Sequence, residues 1–147
     1  MKNILVVLFM LSAFISFGQN PEPVKWTFST KKGNNPNEYV LVATAKLQEG
    51  FHVFAPNPGG DGLLIATEVV LDHKEKYKKI GNLIPQRRPI TKDMTGVGMV
   101  NYYEGEIEFT LTVETDKPGT LSGTITSQCC NEQMCFPPSD LPFNVKL

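Results

Sequence analysis

The chain has 147 residues, a net charge of −1 at pH 7 and three cysteines, all of them near the C-terminus. A charge so close to neutral gives no basic surface for a phosphate backbone, so the sequence predicts no nucleic-acid partner. The length is sufficient for one domain with its own hydrophobic core.

The N-terminal segment predicts export. Lys2 precedes an apolar run over residues 4–17, and the small residues Ser16 and Gly18 suit a cleavage site before Gln19. Residues 1–18 are therefore predicted to be a signal peptide, since the run is shorter than the roughly 20 residues that a spanning helix needs. A retained N-terminal anchor is the alternative. We expect a domain over residues 19–147 that is periplasmic or secreted and soluble after cleavage, where disulfides persist.

The rest of the chain alternates between apolar and polar residues over short segments separated by Gly, Pro and Asn. In residues 106–114, four apolar side chains alternate with Glu and Thr, which is typical of an antiparallel strand with one buried face. Residues 74–79 are interpreted as a solvated segment or a single helical turn. The pattern predicts an all-β fold, an immunoglobulin-like antiparallel β-sandwich, with a small β-barrel as the alternative. The predicted strands are residues 24–28, 38–47, 51–55, 63–71, 106–114, 121–127 and 141–147.

The cysteines Cys129, Cys130 and Cys135 lie between the last two predicted strands. A disulfide among them would close a very small loop and stabilise the fold little, so reversible sulfur chemistry explains the cluster better. Neighbouring residues of a strand point to opposite faces, so only one of Cys129 and Cys130 can easily face Cys135. Cys130 with Cys135 is the favoured pair and Cys129 with Cys135 the alternative. The remaining thiol is expected to be buried.

No other group in the sequence indicates a catalytic or binding site as clearly as the cysteines do. Adjacent Cys129 and Cys130 are poorly spaced for a tetrahedral zinc site, so no metal is predicted, and no other cofactor. His52 stands in an apolar stretch and is interpreted as a packed or hydrogen-bonded side chain, while His73 is expected at the surface. The glycine-rich residues 57–62 lack the lysine of a phosphate loop and are interpreted as a long turn.

Residues 127–138 resemble the active-site signature of the N-terminal periplasmic domain of the DsbD thiol:disulfide interchange proteins. That signature is a cysteine, four or five residues, a second cysteine, an apolar or aromatic residue and two prolines. The end of the segment, Cys135, Phe136, Pro137 and Pro138, matches it directly. The resemblance covers most of residues 22–147. Its weaker segments are Gly-Phe-His-Val-Phe at residues 50–54 and Tyr-Tyr-Glu-Gly-Glu-Ile at residues 102–107.

The resemblance implies an immunoglobulin-like domain that carries electrons, as a protein-disulfide reductase or electron-transfer component, with Cys130 and Cys135 as its catalytic pair. Its implied partners are a thioredoxin-like domain or protein as reductant and oxidised periplasmic proteins as acceptors. Because the sequence ends at Leu147, a membrane electron transporter is expected to act in trans. The family also covers its disulfide with a cap, for which Asp93 and Met94 are the candidates. The alternative function is a non-catalytic immunoglobulin-like binding module with a structural disulfide.

Overall fold

The computed structural model describes residues 22–147, and every regular element in that part of the chain is a β-strand. It contains no helix that could cross a bilayer within this range. The predicted signal peptide, residues 1–18, lies outside the described residues. The strands are β1 (Val24–Lys32), β2 (Glu38–Leu47), β3 (His52–Gly59), β4 (Glu68–Leu71), β5 (Lys78–Pro85), β6 (Ile90–Met94), β7 (Gly98–Glu104), β8 (Glu106–Glu114), β9 (Thr120–Ser127), β10 (Cys129–Cys130) and β11 (Ser139–Lys146).

One antiparallel sheet has the strand order β1-β2-β8-β5. At its centre β2 pairs with β8, so that Leu41 lies opposite Leu111 and Ala43 lies opposite Phe109. Both strands alternate between buried and more exposed residues, because one face of the sheet packs on the core and the other meets solvent. The predicted strand over residues 106–114, with its one buried face, is confirmed.

Two further antiparallel sheets have the orders β11-β9-β4 and β10-β3-β7-β6. In the first of these, Gly123 of β9 lies opposite both Phe143 of β11 and Leu71 of β4. A Cβ atom at Gly123 would stand 2.8 Å from the Phe143 ring, so the missing side chain is what lets this ring lie across β9.

The buried side chains of all three sheets meet in one hydrophobic core, called the main core below. Phe109 is completely buried at its centre. Trp26 and Phe28 cover one edge: the Trp26 ring lies 5.8 Å from Phe109, and Phe28 stacks on Phe143 at 4.8 Å between ring centroids. Antiparallel sheets packed around a shared core form an immunoglobulin-like β-sandwich, so the predicted fold class is confirmed.

Four strands, β5, β6, β7 and the two-residue β10, are absent from the predicted set. A bulge interrupts the pairing of β5 with β8 between Ile80 and Ile84, where Gly81 has a φ of 73°, and the bulge breaks the alternation of apolar residues. Strand β6 lies at a sheet edge with all residues exposed except Met94. Strand β7 buries side chains on both of its faces, so it has no polar face to alternate with.

Two predicted segments differ in extent from the structure. The strand expected over residues 63–71 is confined to Glu68–Leu71. The glycine-rich residues 57–62 are only partly a turn, because β3 continues to Gly59. Within residues 74–79, a turn closes where the Tyr77 N–H donates to the His73 carbonyl at 2.9 Å, and β5 begins at the next residue.

Candidate active site

The cysteine segment passes from one sheet to another. Strand β9 belongs to the β11-β9-β4 sheet, whereas β10 adds to the free edge of β3 in the other sheet. In this pairing Cys129 lies opposite Val53 and Cys130 lies opposite His52. The short edge strand therefore fixes the orientation of both cysteines, because their backbones are held in a ladder with β3.

Cys130 and Cys135 form a disulfide, with their Cα atoms 4.0 Å apart. The two residues also form an isolated β-bridge, so the intervening residues make a small hairpin. Asn131 shapes its turn: its side-chain Oδ1 accepts the N–H of Gln133 and of Met134, each at 2.9 Å. The Asn131 N–H donates to the Met134 carbonyl at 2.9 Å. This turn is the side-chain-closed kind that asparagine favours.

The residues after the disulfide anchor the loop independently of the sulfur bond. The Phe136 N–H donates to the Cys129 carbonyl at 2.9 Å, and the Gln128 side-chain amide donates to the Phe136 carbonyl at 3.2 Å. The Phe136 ring also packs on Phe51 at 5.9 Å. Two exposed prolines follow, just before β11 begins. Because they lie outside the strand, their missing N–H groups remove no hydrogen bond from its ladder. These prolines are Pro137 and Pro138.

The two cysteines of the disulfide differ strongly in exposure. Cys130 is 1% exposed and belongs to a second hydrophobic cluster with Phe54, Val100 and Tyr102. We call this the disulfide cluster, and it is lined at its rim by the half-buried side chains of Leu64, Met94 and Val97. Cys135, by contrast, is exposed. The disulfide thus joins an exposed residue to one that is buried in apolar packing.

Cys129 is a free thiol on the other face of β10, where it packs in the main core. Burial raises its pKa to about 11, so it stays a protonated thiol at neutral pH. The opposite orientations of Cys129 and Cys130 follow the alternation expected along a strand. The alternative pairing of Cys129 with Cys135 is not the one that the structure contains.

The predicted cap residues, Asp93 and Met94, lie at the end of β6, just before the turn that leads into β7. Met94 is half-buried against the disulfide cluster, whereas Asp93 is exposed. The structure therefore places Met94 against the cluster that contains Cys130, and it places Asp93 at the surface. A shielding role for the segment remains a prediction.

His52 lies closer to the disulfide than its sequence context indicates. It is 8% exposed, and its ring packs against Tyr102 at 4.6 Å and Phe54 at 5.6 Å between centroids. Burial lowers its pKa below the ordinary 6.5, with Glu104 opposing and Lys92 reinforcing the shift. Its packed state agrees with the prediction, but its place opposite Cys130 was invisible in the sequence, where 78 positions separate the two residues.

The part of the chain that the structure describes contains no group of side chains suited to binding a metal ion. Across residues 22–147, no three His, Cys, Asp or Glu side chains come together where they could hold an ion.

Known proteins share both the sequence pattern and the fold. Residues 19–146 match the family described as thiol:disulfide interchange protein DsbD, N-terminal. The chain is similar to the N-terminal periplasmic domain of ScsB from Proteus mirabilis, with 20% identity and a TM-score of 0.57 over 84% of this chain. This chain spans 45% of that ScsB chain, and the likeness shows a shared fold.

A second solved structure, the DsbD N-terminal domain of Neisseria meningitidis in the reduced form, is 14% identical, with a TM-score of 0.48. That alignment covers 73% of this chain and 76% of the other. No curated protein sequence matches the chain. The family match confirms the resemblance that the cysteine motif indicates.

Proposed function

The chain belongs to the family of N-terminal domains of the DsbD thiol:disulfide interchange proteins, and on that premise we propose that it is an exported electron carrier. Its Cys130–Cys135 disulfide opens and closes by thiol–disulfide exchange. The working domain is residues 19–147, which reach the periplasm or the exterior after cleavage of the signal peptide over residues 1–18.

The unequal exposure of the two bonded cysteine residues is the observation that carries this proposal. An attacking thiolate must approach a disulfide sulfur along the S–S axis, and Cys135 is the exposed residue of the pair. A partner thiolate forms a bond to Cys135 Sγ, the Cys130–Cys135 bond breaks, and Cys130 leaves with the electron pair. The second thiolate of the partner then attacks the partner's own sulfur in this mixed disulfide, and Cys135 leaves with the electron pair, which releases an oxidised partner and the reduced pair.

A partner with two thiols at an exposed site suits this chemistry, so we propose a thioredoxin-like domain or protein as the reductant. A membrane electron transporter acting in trans would reduce that partner. The reduced pair then passes its two electrons to oxidised periplasmic proteins by the reverse sequence of steps. In each direction one disulfide is consumed and one is formed, so no further cofactor is required.

The loop suits a carrier because it is held by hydrogen bonds that involve neither sulfur. Those from Phe136 and Gln128 join its two ends, and those around Asn131 close its turn. A carrier has to remain folded in both redox states, and we expect these bonds to persist when the disulfide opens.

Trapping of a mixed disulfide tests the proposal. Cys130→Ser leaves Cys135 as the exposed thiol. This variant should therefore form a stable mixed disulfide with a thioredoxin-like protein whose second active-site cysteine is replaced by serine and whose first carries a thionitrobenzoate leaving group. Intact-mass spectrometry after alkylation would detect the adduct. Cys129→Ser in the wild-type background is the matched control and should cycle normally.

Cys135→Ser should form no adduct, because its remaining thiol at Cys130 is buried. Adduct formation by Cys135→Ser in place of Cys130→Ser would reverse the roles of the two sulfurs. A wild-type protein that exchanges with no partner thiol would leave the disulfide as a structural clip in a binding module.

A further inference from the structure

His52 shares a row of the sheet with the buried cysteine. It lies directly opposite Cys130 of β10 on one side and opposite Glu104 of β7 on the other. Residues directly opposite each other in antiparallel strands project from the same face, with Cβ atoms about 4.5–5.5 Å apart. The imidazole and the Cys130 sulfur are therefore neighbours on the face that carries the disulfide cluster.

The packing around His52 holds the ring in place. Tyr102 and Phe54 lie against it at 4.6 Å and 5.6 Å, and the residue is 8% exposed. A side chain ordered in this way, beside a reacting sulfur, has the fixed geometry that proton transfer requires.

The charges around the ring keep it available as a base. The groups that face it are Cys130 from β10, Tyr102 and Glu104 from β7, and Lys92 from β6. Burial lowers the pKa of His52, and Lys92 acts in the same direction, so the neutral imidazole predominates at pH 7. The Glu104 carboxylate acts the other way and stabilises the imidazolium once a proton has been accepted.

The proposed exchange includes a step that needs a general base. To release a reduced product, Cys130 has to attack Cys135, and only a thiolate is an effective nucleophile. Cys130 is 1% exposed in an apolar cluster, where a charged sulfur is unfavourable. On the other face of the same strand, burial raises the pKa of Cys129 to about 11. Deprotonation of Cys130 by water is therefore expected to be slow.

We propose that His52 is the general base for Cys130 in this release step, an inference that rests on the proposed function. In the mixed disulfide between Cys135 and a target cysteine, His52 accepts the proton of Cys130. Cys130 Sγ then bonds to Cys135 Sγ, and the target sulfur leaves with the electron pair as a thiolate. The cysteine pair loses two electrons and the target gains them. The imidazolium returns its proton to the leaving thiolate or to water.

Stopped-flow absorbance with one equivalent of 5,5′-dithiobis(2-nitrobenzoate) separates the two steps in the reduced domain. Attack by Cys135 releases a first thionitrobenzoate, and closure by Cys130 releases the second. At pH 7, His52→Gln should slow the second phase by roughly 10- to 100-fold and change the first phase by less than about twofold. His73→Gln is the matched control and should change neither phase, since His73 is exposed and lies between β4 and β5.

The pH profile distinguishes a base from a packing residue. A histidine with a lowered pKa becomes protonated only below pH 6.5, so the wild-type second phase should fall as the pH drops through that lower value. This bend should be missing in His52→Gln. Any of three results would overturn the role of His52. They are a second phase of equal speed in both proteins, an equal slowing of both phases in the variant, and a bend that the variant retains.

Two further readouts keep the test decisive. If His52→Gln does not fold, the wild-type profile alone decides, because a second phase with no bend below pH 6.5 contradicts the proposal and a bend supports it. Reduced wild type that releases no thionitrobenzoate contradicts the proposed function itself. Release of both equivalents at unaltered speed in His52→Gln contradicts only the part assigned to His52.

Discussion

Cys129 and Cys130 are neighbours in the chain, yet they lie in two different regions of the molecule. Cys129 packs in the main core among side chains from all three sheets, and it is a free thiol. Cys130 packs in the small disulfide cluster and is bonded to an exposed residue, Cys135. One residue of displacement along a strand therefore separates a free thiol from a disulfide-bonded one, because successive side chains enter opposite faces.

The same division extends across the sheet to which β10 belongs. Cys129, Val53 and Tyr103 form a row toward the main core, whereas Phe54 and Tyr102 belong to the opposite face. The main core is much the larger of the two clusters, so most of the apolar burial that stabilises the fold lies there. We therefore expect the sandwich to persist when the disulfide opens.

Truncation of the main core should give the largest loss of stability. Phe109 is fully buried and packs against Trp26 at 5.8 Å and Tyr103 at 5.5 Å. Phe109→Ala should lower the free energy of unfolding by about 3–5 kcal/mol, measured by chemical denaturation. Ile84→Ala in the same sheet is the control, since Ile84 is 60% exposed, and it should change stability by less than about 0.5 kcal/mol. Equal effects of the two variants would contradict the division between core and surface.

Reduction of the disulfide should lower the free energy of unfolding less than truncation of the main core does. The bond joins residues five positions apart, and the entropic model gives so short a loop about 2 kcal/mol at most. The reduced domain should therefore remain folded, with its melting temperature lowered by no more than about 10 °C. Thermal melts with and without reductant measure this, and a Cys130→Ser/Cys135→Ser double variant should melt like the reduced protein. Unfolding on reduction at ambient temperature would make the disulfide a structural clip.

Substitution at the predicted cap is expected to have the smallest effect on stability and a clear effect on the rate at which glutathione reduces the disulfide. Met94 packs against the disulfide cluster, whereas Met99 is 56% exposed on the paired strand. Met94→Ala should speed reduction by glutathione several-fold, because a small thiol then approaches the disulfide more easily, and it should change stability by about 1 kcal/mol or less. Met99→Ala should leave the rate unchanged. Equal rates in the two variants would rule out shielding by Met94.

Alternating strands were predictable from the sequence, whereas β5 and β7, which lack that alternation, were not. Strand β8 shows its buried face directly, as alternate apolar residues. In β7, Tyr102 and Tyr103 are adjacent and both buried, because each face of the strand has its own cluster, so the expected alternation is missing. In β5 the bulge at Gly81 shifts the register and hides the period.

The candidate site was predictable to a similar degree. The spacing of the cysteines and the prolines that follow indicated both the family and the chemistry. The position of His52 beside Cys130 could not be inferred, because it depends on β10 joining the edge of β3 rather than continuing the hairpin of β9 and β11. Pairings between distant segments are set by tertiary packing, which a single sequence does not display.

The reduction potential of the Cys130–Cys135 pair tests the central claim most directly. The mature domain would be equilibrated in dithiothreitol buffers of graded potential, quenched with acid, and alkylated, and the oxidised fraction measured by mass spectrometry. An exposed, exchange-active disulfide should have a potential clearly above roughly −300 mV. A potential below roughly −300 mV, where structural disulfides of exported proteins fall, would contradict the account of this domain as an electron carrier.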